Sequence, residues 1–166
     1  MIYDSLSSAE LQFTIQNFLF HEAHLLDTRQ FEAWRDLFTD QGRYWVPLKP
    51  GQKRADAEAS LFDDDKTMMA TRIERLRHPN IHSQIPPHRT CRVVGNVTIH
   101  DERTEDGAII VSSLLLMTDY RLRTTRLFSA HVTHNLLEQE NQLRINMKTV
   151  ALINCDDAFE LIAVPF

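Results

Sequence analysis

His21 and His24 bracket Glu22 in the stretch HEAHLLD, residues 21–27. Zinc hydrolases of the HExxH kind set two histidines four residues apart on a helix, with the glutamate between them as general base. Here the spacing is three, so the stretch falls one residue short of that pattern. On a helix the two rings would stand about 60° apart around the axis, close enough to share an ion. A complete site would still need a third and a fourth ligand and a second shell. The expectation is therefore an exposed or interfacial pair. Glu22 falls on an apolar stripe instead, where a carboxylate needs a partner, and an arginine from the irregular segment 78–89 or from another subunit would serve.

The other candidate chemistry is no more complete. His131 and His134 read as strand residues, and a separation of three sends them to opposite faces; His134 is expected to point into a cavity beneath the helices. His78, His82 and His88 crowd a proline-rich stretch without diagnostic metal spacing, which reads as a solvated or interface loop. Asp27, Asp40, Tyr44 and His134 are the polar groups available to a pocket. Of these, Asp40, Tyr44 and His134 are an acid–base set on which a stand-alone dehydratase or isomerase could run. The competing reading has Asp40 capping a turn with Gly42 while Tyr44 simply packs. Asp63, Asp64 and Asp65 lack the alternating ligands and turn glycine of a calcium loop and suit a helix start. With only 4 glycines, the chain shows no nucleophile elbow, phosphate-cradling loop or dinucleotide fingerprint. Cys91 and Cys155 are isolated in strand-like sequence and read as two buried free thiols in a reducing compartment.

A net charge of −5 without any Lys/Arg-rich run argues against a nucleic-acid surface. No apolar stretch approaches the ~20 residues that span a bilayer, and MIYDSLSSAEL has neither a basic nor an apolar leader region. A cytoplasmic protein is expected, with residues 1–166 forming a single domain.

The elements that must position these groups follow from periodicity. Ser7 and Glu10 have capping-box spacing, and Leu11, Ile15, Phe18, Leu19, Glu22, Leu25 and Leu26 then share one helical stripe. A second helix is expected to bury Phe31, Trp34, Leu37 and Phe38 and to end at Gly42, before a short strand over 43–47. Residues 48–60 read as a loop. A third helix follows the three aspartates, with Met69, Ile73 and Leu76 as its apolar face and Pro79 closing it. Residues 78–89 are irregular, since Pro86 and Pro87 forbid a ladder. Four long strands then cover 90–100, 108–122, 125–138 and 142–154, joined by hairpin turns.

In the first of these, Val93, Val97 and Ile99 alternate with Arg92, Asn96, Thr98 and His100; the third puts Phe128, Ala130, Val132 and Leu136 on one face. In the fourth, the apolar phase slips near Lys148, which predicts a β-bulge. The second, AIIVSSLLLMT, is apolar on both faces. Helices followed by a bent antiparallel or mixed sheet make an α+β domain. Those helices can cover only one face, so the outer face of the second long strand is expected to meet another subunit.

Several of these stretches together resemble the small (beta) subunit of bacterial aromatic-ring-hydroxylating dioxygenases, the Rieske non-haem iron oxygenases. They are FLFHEAHLLD followed by FEAWRDLFTDQGRYWVP, with Glu22, Leu26, Asp27, Trp34, Leu37, Asp40, Tyr44 and Pro47; DDDKTMMATRIERL, with Arg72 and Leu76; IPPHRTCRVVGNVTI, with Asn96 and Val97; and the ending LINCDDAFELIAVPF. Two departures stand out. Gln142-Leu143-Arg144 replaces a Gly-Trp-Arg-type entry to the last strand, and RLFSAHVTHNL lacks the usual Gly-Arg pairing after its aromatic.

The resemblance implies a cystatin-like cone, shared with scytalone dehydratase and ketosteroid isomerase, and no catalytic, cofactor-binding or metal-ligating residue in this chain. The Rieske 2Fe-2S cluster and mononuclear Fe(II) are expected in a partner large (alpha) subunit. Three large and three small subunits would assemble on a trimeric base of small ones, in an NAD(P)H-linked oxygenase of aromatic catabolism acting on a relative of benzoate or salicylate. A stand-alone dehydratase or isomerase and a ligand-binding or scaffold homotrimer are the alternatives.

Overall fold

A computed structural model describes residues 3–53, 58–78, 85–157, 162 and 164–166. Helix α1 (Ser8–Asp27) starts where expected: the Ser7 side chain accepts from the Glu10 amide, and the Glu10 carboxylate accepts from the Ser7 amide at 2.9 Å. Its buried stripe contains Ile15, Leu19, Glu22, Ala23, Leu25 and Leu26. Helix α2 (Phe31–Arg35) is a single turn. Phe31, Trp34, Leu37 and Phe38 are all buried, as expected, but the last two do not belong to a helix. The Leu37 carbonyl already accepts from the Ile145 amide at 2.9 Å, so the chain has joined the sheet, and strand β1 runs Phe38–Pro47. Gly42 therefore lies within β1 rather than ending α2.

A second strand, β2 (Ser60–Asp65), lies where a loop and then a helix start were expected. It pairs antiparallel with β1, and Arg43 clamps Asp63 through two bonds of 2.6 and 2.7 Å. Strand alternation thus gives the three aspartates different tasks. Asp63 meets Arg43, Asp64 turns inward to Arg72 at 2.5 Å, and Asp65 caps helix α3 (Lys66–Arg77) by accepting from the Met68 amide. Met69 and Ile73 are the buried face of α3, with Leu76 partly buried against the core. Pro79, the expected stop, lies outside the described residues.

Strands β3 (Arg89–Arg103), β4 (Ile109–Arg121), β5 (Thr124–Gln139) and β6 (Gln142–Leu152) match the four long runs. The six-stranded sheet has the order β2-β1-β6-β5-β4-β3, antiparallel except for the parallel β1–β6 pair. Helix α1 packs across β3 on the inner face. No helix among the described residues is long and apolar enough to cross a membrane.

Two irregularities set which side chains face inward. On β3, Asn96 has a positive φ of 50° and the register shifts between Gly95 and Thr98. Ahead of this bulge the inward residues are Arg92 and Val94; after it they are Val97 and Ile99. The expected grouping of Val93 with Val97 and Ile99 is corrected by that slip, and Val93 is 61% exposed on the outer face. On β6, Ile145 faces Leu136 while Met147 faces Asn135, so Asn146 is an extra residue. This bulge turns Lys148 onto the same buried face as Ile145 and Val150, close to where the phase slip predicted it.

Candidate polar centre inside the cone

The inner face of the sheet and the underside of α1 enclose a buried polar network. Glu22 descends from α1 on a stripe otherwise apolar, and three elements meet its carboxylate. Trp34 of α2 donates Nε1–H to Oε1 at 3.0 Å, Lys148 of β6 donates to the same oxygen at 2.7 Å, and His134 of β5 donates from Nε2 to Oε2 at 2.9 Å. The partner of Glu22 is thus a lysine of the same chain, not the expected arginine. Burial alone would raise the Glu22 carboxyl, but Lys148 and His134 together outweigh it and hold the group well below its ordinary value. Burial pulls Lys148 down, with Glu22 opposing. A 2.7 Å contact supported by two further donors to Glu22 favours the ionised pair.

The network continues to the chain's last residues. Lys148 Nζ also donates to the main-chain oxygen of Phe166 at 2.9 Å, and the Phe166 amide donates to the Tyr44 hydroxyl at 3.0 Å. Arg92 Nη2 donates to the Pro165 carbonyl at 2.5 Å, while its Nη1 meets Asp27 at the end of α1. Asp27 also accepts from the Arg92 amide at 2.8 Å and from Thr90 Oγ1 at 2.9 Å. A cavity of about 20 Å³ is bordered by Glu22, Arg92, Ser113, His134, Lys148 and Phe166, room for a single water.

This arrangement corrects the acid–base set. The Asp40 side chain is 96% exposed and meets Lys66 at 3.3 Å, so it does not join Tyr44 and His134. Burial pushes the Tyr44 phenol up and keeps it protonated, the opposite of what a general base requires. His131 faces out and His134 in, as alternation predicted.

The remaining candidates divide. His21 and His24 are exposed. His78 is exposed too, and His82 lies outside the described residues. His88 corrects the solvated-loop reading: it is buried, with Nδ1 2.7 Å from Asp119, whose other oxygen takes Arg126 at 2.5 Å. Arg121 donates to the carbonyls of Pro86 and Ile85 at 3.0 and 3.1 Å, so this cluster fastens the 85–88 segment to the end of the sheet. Cys155 is buried but Cys91 is exposed, contrary to the expectation of two buried thiols; both are free. Among the described residues no three His, Cys, Asp or Glu side chains are grouped to hold a metal.

Reading by sequence missed Lys148, Arg92 and Phe166 as parts of one centre. The available signal was a lysine and an arginine in strands that bury alternate residues, each next to a point where the phase slips.

A family model described as "Ring hydroxylating beta subunit" matches residues 21–156. The beta subunit of an N,N-dimethyl phenylurea N-demethylase from Sphingobium sp. (strain YBL2) is 35% identical over 132 residues, covering 74% of this chain and 73% of the relative. The small oxygenase component of a p-cumate 2,3-dioxygenase system from Pseudomonas putida is 32% identical over 133 residues, covering 79% and 73%. In three dimensions, the beta subunit of a benzoate 1,2-dioxygenase from Burkholderia mallei ATCC 23344 superposes with a TM-score of 0.71 over 90% of this chain and 93% of that one, at 22% identity. That likeness confirms the α+β cone. With the match running from α1 past β6, the chain belongs to the ring-hydroxylating beta subunit family.

Proposed function

We propose that this chain, as one domain spanning residues 1–166, is the non-catalytic beta subunit of a cytoplasmic oxygenase of aromatic catabolism. Its partner is a large subunit that carries a Rieske 2Fe-2S cluster and a mononuclear Fe(II) fed with electrons from NAD(P)H. Three copies of each subunit assemble, with the small ones as a trimeric base. No residue of this chain is assigned a catalytic, cofactor-binding or metal-ligating role.

The observation that carries the reading is that, among the described residues, the polar groups inside the cone hold the chain's own Pro165 and Phe166. Tyr44, Lys148 and Arg92 each bond to the main chain of Pro165 or Phe166, and Lys148 also pairs with Glu22; the cavity beside them has room for about one water. His88 and His134, the buried histidines that could have been ligands, are each tied to a carboxylate of the fold. The outer sheet face supports the assembly. Val93, Leu116 and Leu127 lie on neighbouring strands there with exposures of 61%, 48% and 67%, an apolar group that a buried interface would remove from water.

The test is co-purification. A tagged chain expressed with the large subunit encoded beside it should bring down an iron-containing polypeptide at equal stoichiometry. Expressed alone, it should contain negligible iron by plasma emission. Stoichiometric iron in the isolated chain, or aromatic turnover by it without a companion, would defeat the proposal.

A further inference from the structure

Phe166 is gripped as a ligand is gripped. Its ring stands edge-on to Phe128 at 5.1 Å and to Phe62 at 6.5 Å between centroids, the arrangement that aromatic quadrupoles favour. The main chain of Pro165 and Phe166 is read at three points by side chains from three strands: Tyr44 of β1, Lys148 of β6 and Arg92 of β3. All three are buried. An ordinary core phenylalanine needs apolar walls and no more, whereas desolvating a lysine and an arginine is costly. Beside the ring lies the water-sized cavity, bordered by His134 and Arg92, whose Nδ1 and Nε have no partner among the described residues.

We infer that the interior of the cone is a binding site for a small aromatic carboxylate, occupied in this structure by the chain's own Pro165–Phe166. The ring of such an acid would take the place of the Phe166 ring between Phe128 and Phe62. Its carboxylate would take the place of the main-chain oxygens that Lys148 and Arg92 hold. The Tyr44 hydroxyl, which here accepts from the Phe166 amide, can turn its own proton toward a carboxylate. Arg92 and Lys148 are balanced by Asp27 and Glu22, so the anion is met by aimed donors rather than by surplus positive charge. The tethered segment competes as an intramolecular ligand at an effective concentration on the order of millimolar, and the free acid binds the intact chain correspondingly weakly. This site stands apart from the subunit role and would exist whether or not the chain has an iron-bearing partner.

The experiment uses Phe166→Ala in the full chain, together with any companion it purifies with, and sodium benzoate as probe. That variant keeps the main chain and both cations but vacates the ring space. Isothermal titration should give one benzoate site per chain, with Kd at least about tenfold lower than for the intact protein, and benzoate should raise the Tm of the variant more than that of the parent. Benzyl alcohol, of the same shape but uncharged, should bind more weakly. Phe166→Leu, a milder change that preserves more packing, should show a smaller gain in the same direction and decides the matter if the alanine variant does not fold. Equal benzoate affinity in parent and variants, no binding to either variant, or benzyl alcohol binding as tightly as benzoate would each overturn the inference.

Discussion

Lys148→Met is expected to destabilise the folded chain by about 3–5 kcal/mol, the usual cost of removing one partner from a buried ion pair. The methionine fills most of the volume, so the loss is electrostatic. Glu22, 3% exposed, would keep only Trp34 and His134 as donors, and Phe166 would lose the donor to its main-chain oxygen. The double variant Glu22→Met/Lys148→Met should be less damaged than Lys148→Met alone, because a buried pair replaced as a whole by apolar residues is often neutral. Recovery stays incomplete: Trp34 Nε1 and His134 Nε2 are then left without an acceptor, at about 1–3 kcal/mol each. Urea denaturation of parent, both singles and the double closes the cycle, read from midpoints at constant slope. A cost for Lys148→Met below about 1 kcal/mol would mean that water reaches the pair.

The same network fixes the sign of the acid response. Glu22 is held below its ordinary value of 4.5 in the fold, so below that pH the unfolded chain binds the proton first. Its contribution is complete above the ordinary value and is lost as the pH falls toward the folded one. Asp64 runs the other way: burial raises its carboxyl, with Arg72 opposing, so protonation relieves a strained charge there and offsets part of the loss. The parent chain should therefore lose stability between about pH 6 and about pH 3.5, and Lys148→Met should lose less over that interval, since its Glu22 no longer has the lysine to hold its pKa down. Denaturation midpoints at the two pH values for both proteins give the comparison. An equal drop in both would exclude Glu22 as the source.

How far the sequence could be read depended on whether a signal was local. The capping box at Ser7 and Glu10, the α1 stripe and the four long strands depend on neighbours within a turn or on strict alternation, and each was legible. Phe38 and Gly42 were not. Phe31, Trp34, Leu37 and Phe38 have helical spacing, yet the Ile145 amide, more than a hundred residues away, takes the Leu37 carbonyl and pulls the chain into a strand. β2 was invisible for the opposite reason: SLFDDD carries charge on a strand whose carboxylates are answered by Arg43 and Arg72, partners that no local pattern announces. The polar centre was half legible. Glu22 on an apolar stripe demanded a partner, and His134 was placed facing inward. Lys148 turns inward because a bulge at Asn146 resets the phase of β6, and Arg92 was hidden because a bulge at Asn96 puts it out of phase with Val97 and Ile99, since a slip of one residue exchanges the faces of everything beyond it.

Gly42 is where such a slip can be tested by the smallest possible change. It lies in the irregular part of β1, between the Phe38↔Ile145 and Arg43↔Met147 pairings with β6. A Cβ added there would stand 2.8 Å from the Ile145 carbonyl oxygen, 2.8 Å from Phe38 Cβ and 2.9 Å from the Thr39 carbonyl oxygen. Two of these are backbone atoms and the third is fixed to backbone, so no flexible side chain can give way. Gly42→Ala is expected to cost about 1–3 kcal/mol or more as overpacking, against the roughly 0.4–1 kcal/mol by which alanine stabilises through the unfolded chain at compatible sites. Because β6 must yield, the strain falls on the pairing that turns Lys148 inward. Gly95→Ala is the matched control: nothing lies within 4 Å of its added Cβ and its φ is not positive, so a change within about ±0.5 kcal/mol is expected. Thermal and urea unfolding of the two variants should separate them clearly. If Gly42→Ala proves as benign as Gly95→Ala, then β1 and β6 do not approach this closely, and the bulge that places Lys148 under α1 would have to be redrawn.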